Sequence, residues 1–109
     1  MDTAALLLQA SDVEWQDTPI PGARFAPLHE NPETGACVWL IYQNPGGVFP
    51  EHSHPHWTVQ FILKGEITGP EGTYKPDSYQ RLPPNVKHGP YRAGPHGMEG
   101  LLISDGPVW

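Results

Sequence analysis

From Ala23 onward, short runs of β-forming apolar residues alternate with clusters of proline, glycine and asparagine. A period of two puts successive side chains on opposite faces of an extended chain, so each run predicts a strand. Ala23–Leu28 and Ala36–Gln43 (ACVWLIYQ) flank the turn-rich His29–Gly35 segment and predict a hairpin, closed off by NPGG. The next strand is expected over Trp57–Leu63, stopped by Lys64-Gly65, with Glu66–Thr68 resuming after a turn. GPEG at Gly69–Gly72 predicts another hairpin, leading to short extended pieces at Thr73–Tyr74 and Ser78–Leu82. Pro83-Pro84-Asn85 forces a tight turn before His88, and Met98–Ser104 is the last clear strand. No helical pattern intervenes, so the chain reads as an all-β sandwich or barrel. Only Thr3–Ala10 invites another reading, as one helical turn or an arm that adds to a sheet edge.

Composition agrees and narrows the picture. Fourteen prolines and twelve glycines in 109 residues oppose a helical protein, while four Trp, four Tyr and three Phe can fill a compact β core. The length is that of one domain: residues 1–109, with an N-terminal arm over 1–22 and a core over about 23–104. A net charge of −6 with no Lys/Arg cluster disfavours nucleic acid or an anionic membrane as partner. The single cysteine, Cys37, cannot form an internal disulfide and is expected to be a small buried hydrophobe. No basic segment precedes the apolar residues near the N-terminus and no run is long enough to span a bilayer, so a soluble cytoplasmic protein is expected.

Candidate chemistry is concentrated in GGVFPEHSHPHWTVQFILKG, Gly46–Gly65. His52 and His54 are separated by one residue, which on an extended chain turns both rings to one side and makes a chelating pair for a transition metal. A third ligand has to come from elsewhere, and His88 after the Pro-Pro turn is the best candidate; His29 and His96 sit in polar turns and are expected at the surface. Arg81 is a candidate for a substrate carboxylate, and Tyr42, Tyr79 and Tyr91 for phenol donors.

These residues resemble the cupin family. Its first motif is Gly, five residues, His-x-His, three or four residues, Glu, six residues, Gly; Gly46, His52, His54 and Gly65 fall in register with it. Its second motif is matched by Pro83 and His88, with Asp77 and Asn85 standing at the two glycine places, a mild departure because both residue types tolerate tight turns. The flanking segments are most similar to ChrR-like cupins, a group that includes the zinc-holding domain of an anti-sigma factor; acetylacetone and dihydroxyacetophenone dioxygenases look like more distant relatives. The resemblance implies a double-stranded β-helix, a small jelly-roll barrel, with metal ligands His52, His54 and His88.

One departure stands out. The family glutamate falls at Thr58, so the resemblance implies a three-histidine site. Gln60, two residues on, shares the inward face and is a candidate either to ligate the metal or to hold a metal-bound water. Three neutral imidazoles leave a divalent ion its full charge, which suits an anionic, oxygen-chelating substrate. The expected function is therefore a metal-dependent enzyme of dioxygenase type, with Fe(II) favoured and Zn, Mn or Ni as alternatives, acting on a diketone or hydroxyketone. Gln60, His56 and Tyr42 are the candidate catalytic residues, His56 at the pocket mouth as an acid/base. The alternatives are a non-redox lyase, isomerase or polyketide cyclase, or a non-catalytic ligand-binding or sensor cupin, against which stands the lack of a sigma-binding helical region in this sequence. A homodimer is expected by analogy with the family.

Overall fold

The computed structural model describes residues 5–108. Among these residues, eight strands occur in chain order: β1 (Gln16–Asp17), β2 (Ala23–Glu30), β3 (Cys37–Gln43), β4 (Val48–Phe49), β5 (Thr58–Gly69), β6 (Gly72–Tyr74), β7 (Tyr79–Leu82) and β8 (Tyr91–Ser104). They form one antiparallel sheet in the order β1-β2-β3-β8-β5-β6, with β4 added to β8 and β7 to β5. The only helical turn among the described residues is a 3-10 turn at Ala10–Asp12. The Thr3–Ala10 expectation falls partly outside the described residues; residues 5–9 are exposed and carry no regular structure. Further along, β1 pairs with β2 through Gln16 with Phe25 and Asp17 with Arg24.

Two elements are longer than the punctuation suggested. Lys64-Gly65 was expected to end a strand, but β5 runs through it, with register shifts against β8 between Ile62 and Lys64 and between Gly65 and Ile67. The glycine marks a bulge, not a turn: Gly65 has φ 66° and any Cβ there would collide with the Gly97 carbonyl. On the facing strand, β8 extends back from Met98 to Tyr91, and its residues 94–97 take no part in the register with β3, β4 or β5. Pro95 therefore removes no ladder bond and the strand continues past it. Asp77 and Asn85, the residues at the two motif glycine places, adopt φ of 69° and 61°. Short polar side chains tolerate this left-handed region, so the departure from glycine costs the fold little.

The bulges bend the long β5–β8 ladder so that the sheet curves around an interior. Ile62, Ile67, Tyr91, Ala93 and Met98 pack one part of the core, and Cys37, Leu102 and Val108 another, with Ile41 touching both. Complete burial of Ile62 or Ile67 contributes about 1.5–3 kcal/mol each. The outward positions are apolar as well: Val38 and Leu40 on β3, Val59, Phe61 and Leu63 on β5, and Leu101 and Ile103 on β8. No helix among the described residues is long and apolar enough to cross a membrane.

Candidate metal centre

The backbone brings the histidines together. His52 and His88 form an isolated antiparallel bridge, the His52 N–H donating to the His88 carbonyl at 3.0 Å and the His88 N–H to the His52 carbonyl at 2.8 Å. The turn ahead of His88 is docked by the Asn85 N–H on the His54 carbonyl at 2.7 Å. The three rings then face one another, with centroids 4.2 Å apart for His52 and His88, 4.8 Å for His52 and His54, and 5.0 Å for His54 and His88. One nitrogen from each lies within 4.8 Å of the other two, a grouping that could hold a metal ion.

Tautomers follow from the partners. A carbonyl only accepts, so His54 Nδ1 carries the proton it donates to Val108 at 2.9 Å, and His52 Nδ1 the one it donates to Pro50 at 2.6 Å. Both rings thereby leave Nε2 as a lone pair, the arrangement that outer partners impose on metal-binding histidines. His88 is different: both of its ring nitrogens are buried and neither has a hydrogen-bond partner among the described residues. Burial holds its imidazolium pKa down at about 4, the neighbouring His52 and His54 push the same way, and Glu71 opposes them. Burial also lowers His54, against the pull of the Val108 carbonyl. A buried, neutral imidazole with unmade bonds costs free energy unless a ligand completes it. The donor set fits a divalent transition metal, which takes neutral imidazole nitrogen readily.

These rings sit in the wall of a cavity of about 450 Å³ whose other walls are largely apolar, with Phe25, Trp39, Ile41, Phe49, Leu82 and Leu102 among them. Gln60 lines the same cavity, as strand alternation requires; Thr58 is equally buried, but its hydroxyl turns back to the His56 carbonyl at 3.1 Å. Gln60 Nε2 donates to Gln80 Oε1 at 3.3 Å across the paired strands β5 and β7. Gln80 was not singled out from the sequence, although alternation along YQRL puts it inward with Leu82.

The other candidates lie elsewhere. Tyr42 is on the outward face of β3, with the Arg24 guanidinium 4.6 Å over its ring and Trp15 at its edge. Alternation sends Trp39 and Ile41 to the cavity and Tyr42 away from it. His56 is exposed, its ring covering Gly106 and not reaching the cavity, because Pro55 turns the chain before β5 starts. Arg81 stands outside over Trp57, 5.4 Å from its ring centre. Tyr79, His29 and His96 are exposed. Tyr91 does border the cavity, but its hydroxyl donates to Glu71 Oε2 at 2.9 Å, so that proton is already committed.

Glu71 is the residue that sequence reading missed. It lies in the turn between β5 and β6, where an acidic residue ordinarily signals only solvent. Here Oε2 accepts from Tyr74 at 3.0 Å as well as from Tyr91, and the Tyr91 ring lies 5.8 Å from that of His88. Partial burial pushes the Glu71 carboxyl up, but its own backbone, the hydrogen bonds from Tyr91 and Tyr74 and the nearby Gln80 amide outweigh it and hold the group below its ordinary value. Burial and the adjacent carboxylate push the Tyr91 phenol well above its usual range, so it stays protonated.

Comparison with known proteins agrees with this architecture. The family model described as ChrR Cupin-like domain matches residues 3–108. No curated protein matches the chain by sequence. Among solved structures, SigE in complex with the anti-sigma ChrR from Rhodobacter sphaeroides is similar with a TM-score of 0.77 at 20% identity; the match covers 89% of this chain and 52% of that one, so this chain spans about half of it. An acetylacetone dioxygenase from Acinetobacter johnsonii gives a TM-score of 0.76 at 18% identity, covering 95% of this chain and 74% of that one. The polyketide cyclase RemF from Streptomyces resistomycificus gives 0.76 at 18%, covering 93% and 79%. Identities this low speak for the fold, and the match over nearly the whole sequence speaks for the family: the chain belongs to the ChrR cupin-like domains.

Proposed function

We propose that His52, His54 and His88 hold one divalent transition-metal ion, Fe(II) in the first instance, and that the protein is a small-molecule enzyme of dioxygenase type acting on an oxygen-chelating diketone or hydroxyketone. The observation that carries this reading is His88, with two buried ring nitrogens that no described residue satisfies. When bound, such an ion would supply a Lewis-acidic centre and, as iron, redox chemistry toward dioxygen.

The chain's own residues would do the rest. Val108 and Pro50 carbonyls fix the His54 and His52 rings in the tautomer that places the lone pair on Nε2. The apolar walls exclude water and accommodate the carbon skeleton of the substrate. With Thr58 in the glutamate place, the ligands add no negative charge, which favours an anionic oxygen of the substrate. Gln60 is placed to hydrogen-bond a ligand or a metal-bound water; direct ligation by its carbonyl is the alternative.

One observation ranks redox chemistry ahead of the non-redox lyase, isomerase or cyclase reading. Proton-transfer groups deep in the cavity are scarce: Tyr42 and His56 do not line it, the Tyr91 proton is committed to Glu71, and the one carboxylate in the lining, Asp17, belongs to an exposed residue. The sensor or ligand-binding reading is supported by the family's likeness to ChrR. Metal analysis of protein purified without chelator, followed by oxygen uptake with a panel of diketones and hydroxyketones, tests the proposal. Iron at one per chain with substrate-dependent uptake is expected, and no uptake by the iron-loaded protein would remove the dioxygenase reading.

We further propose a cytoplasmic homodimer formed through the outward apolar face of β3, β5 and β8. Phe61, Leu63 and Ile103 are 37%, 40% and 42% exposed there, a cluster that a solvent-facing sheet would normally make polar. Sedimentation of the wild type against Phe61→Glu, expected to be monomeric, tests it.

A further inference from the structure

Beside the histidines the cavity has a second polar wall, and its polarity is set from outside. Glu71 accepts from Tyr74 and Tyr91, and as an ionised carboxylate it can only accept. Gly69 makes the arrangement possible, since any Cβ there would strike the Tyr91 ring and come within 3.1 Å of Glu71 Oε1. Gln80, 3% exposed, turns its Nε2 toward this cluster; that nitrogen is buried and makes no hydrogen bond of ordinary length and angle, although it still helps keep the carboxyl ionised. The opposite amide orientation would set the Gln80 carbonyl against a carboxylate and its NH₂ against the NH₂ of Gln60. Electrostatics therefore permits one direction only: the nitrogen of Gln80 toward Glu71, and its oxygen accepting from Gln60 Nε2. At the end of this chain stands Gln60 Oε1, which accepts no hydrogen bond from the described residues.

We propose that Glu71 is a positioning residue that fixes the direction of the Gln80–Gln60 amide pair, so that the cavity presents a carbonyl acceptor and selects a carbonyl compound bearing a hydroxyl, a hydroxyketone, over the matching diketone. The selection concerns the site proposed above and rests on that reading for the oxygen-chelating half of the ligand. The amide half needs no metal, because it depends on Glu71, Gln80 and Gln60 alone.

The test is a pair of ligands that differ by one hydroxyl, 3-hydroxybutan-2-one and butane-2,3-dione, titrated into zinc-loaded and metal-free full-length protein. Wild type is expected to favour the hydroxyketone by about tenfold, the worth of one neutral hydrogen bond. Glu71→Gln, whose amide can face Gln80 with either end, is expected to lose the preference to within about threefold at unchanged zinc content, and Glu71→Asp to retain part of it. The side-chain amide proton resonances of Gln80 should shift and broaden in Glu71→Gln while the urea midpoint stays close to wild type, a signature that loss of fold alone would not give. Equal binding of the two ligands by wild type, or an undiminished preference in Glu71→Gln, would overturn the assignment. Failure of zinc to bind any form would remove the metal reading but not this one, because the metal-free titration and the amide resonances still decide it.

Discussion

Two polar clusters border the same cavity, and they are finished to different degrees. At the histidine cluster, outer carbonyls saturate one nitrogen of His52 and of His54, yet the inward nitrogens converge and neither ring nitrogen of His88 has a hydrogen-bond partner among the described residues. At the Glu71 cluster, two phenols donate to one carboxylate oxygen, and the carboxylate is satisfied even though the Gln80 nitrogen turned toward it makes no hydrogen bond. Buried polar groups are satisfied as a rule, so the unfinished cluster is the one built for something the chain does not itself supply. The finished cluster is scaffold, and its charge orients its neighbours. A ligand site in this fold is thus recognised where several unsatisfied polar atoms converge on one point.

The contrast can be broken most severely at the unfinished side. His88→Ala is expected to abolish stoichiometric metal binding, a larger loss than the about 10- to 100-fold that removing an outer partner of a ligand costs. Full occupancy in the variant, by plasma emission analysis, would refute the ligand assignment. On the finished side, Tyr91→Phe deletes a hydrogen bond to a charged group and should destabilise the protein by about 1.5–3 kcal/mol in urea unfolding, with metal content unchanged. If both variants lost metal equally, the two clusters would have to be treated as one.

Acid separates them further. His88 has a folded pKa of about 4 against an ordinary 6.5, so the unfolded chain takes up the proton first. Its contribution to the stability of metal-free protein is complete above pH 6.5 and is lost as pH falls toward 4. Glu71 is also depressed, from 4.5, and its contribution is lost only as pH falls below that value. Unfolding midpoints measured across pH 7 to 3 should therefore fall in two stages, and His88→Asn should flatten the first while sparing the second. The smallest effect is expected at Tyr42→Phe. Outside the cavity under Arg24, it should change stability by about 0.5 kcal/mol or less and leave metal and ligand binding untouched.

Much of this was legible in the sequence, for reasons that differ by residue. Period-two patterning located β2, β3, the first half of β5, β7 and the end of β8, because each buries one face or both. The His52–His54 spacing and the Pro83-Pro84-Asn85 turn announced the cluster, and Asp77 and Asn85 proved able to adopt the left-handed conformations the motif needs. Bulges were illegible: Gly65 and Pro95 look like strand breakers, and only the facing backbone reveals that the ladder steps over them. Tyr42 and His56 fall outside the cavity lining, one through the face parity of β3 and the other through Pro55, which turns the chain before β5 begins. Glu71 left no local signal, since its partners Tyr74, Gln80 and Tyr91 come from three different strands.

Cys37 has a consequence of its own. It is 4% exposed, its thiol is pushed above the ordinary value by burial and by Glu30, and it packs with Val108, the residue whose carbonyl receives the His54 proton. A buried thiol of raised pKa reacts slowly with disulfide reagents and alkylators. Its labelling rate is therefore a clock for the release of the C-terminal segment: counted at one sulfur, it times how often the backbone that steadies His54 lets go, and how far an added ion slows that release.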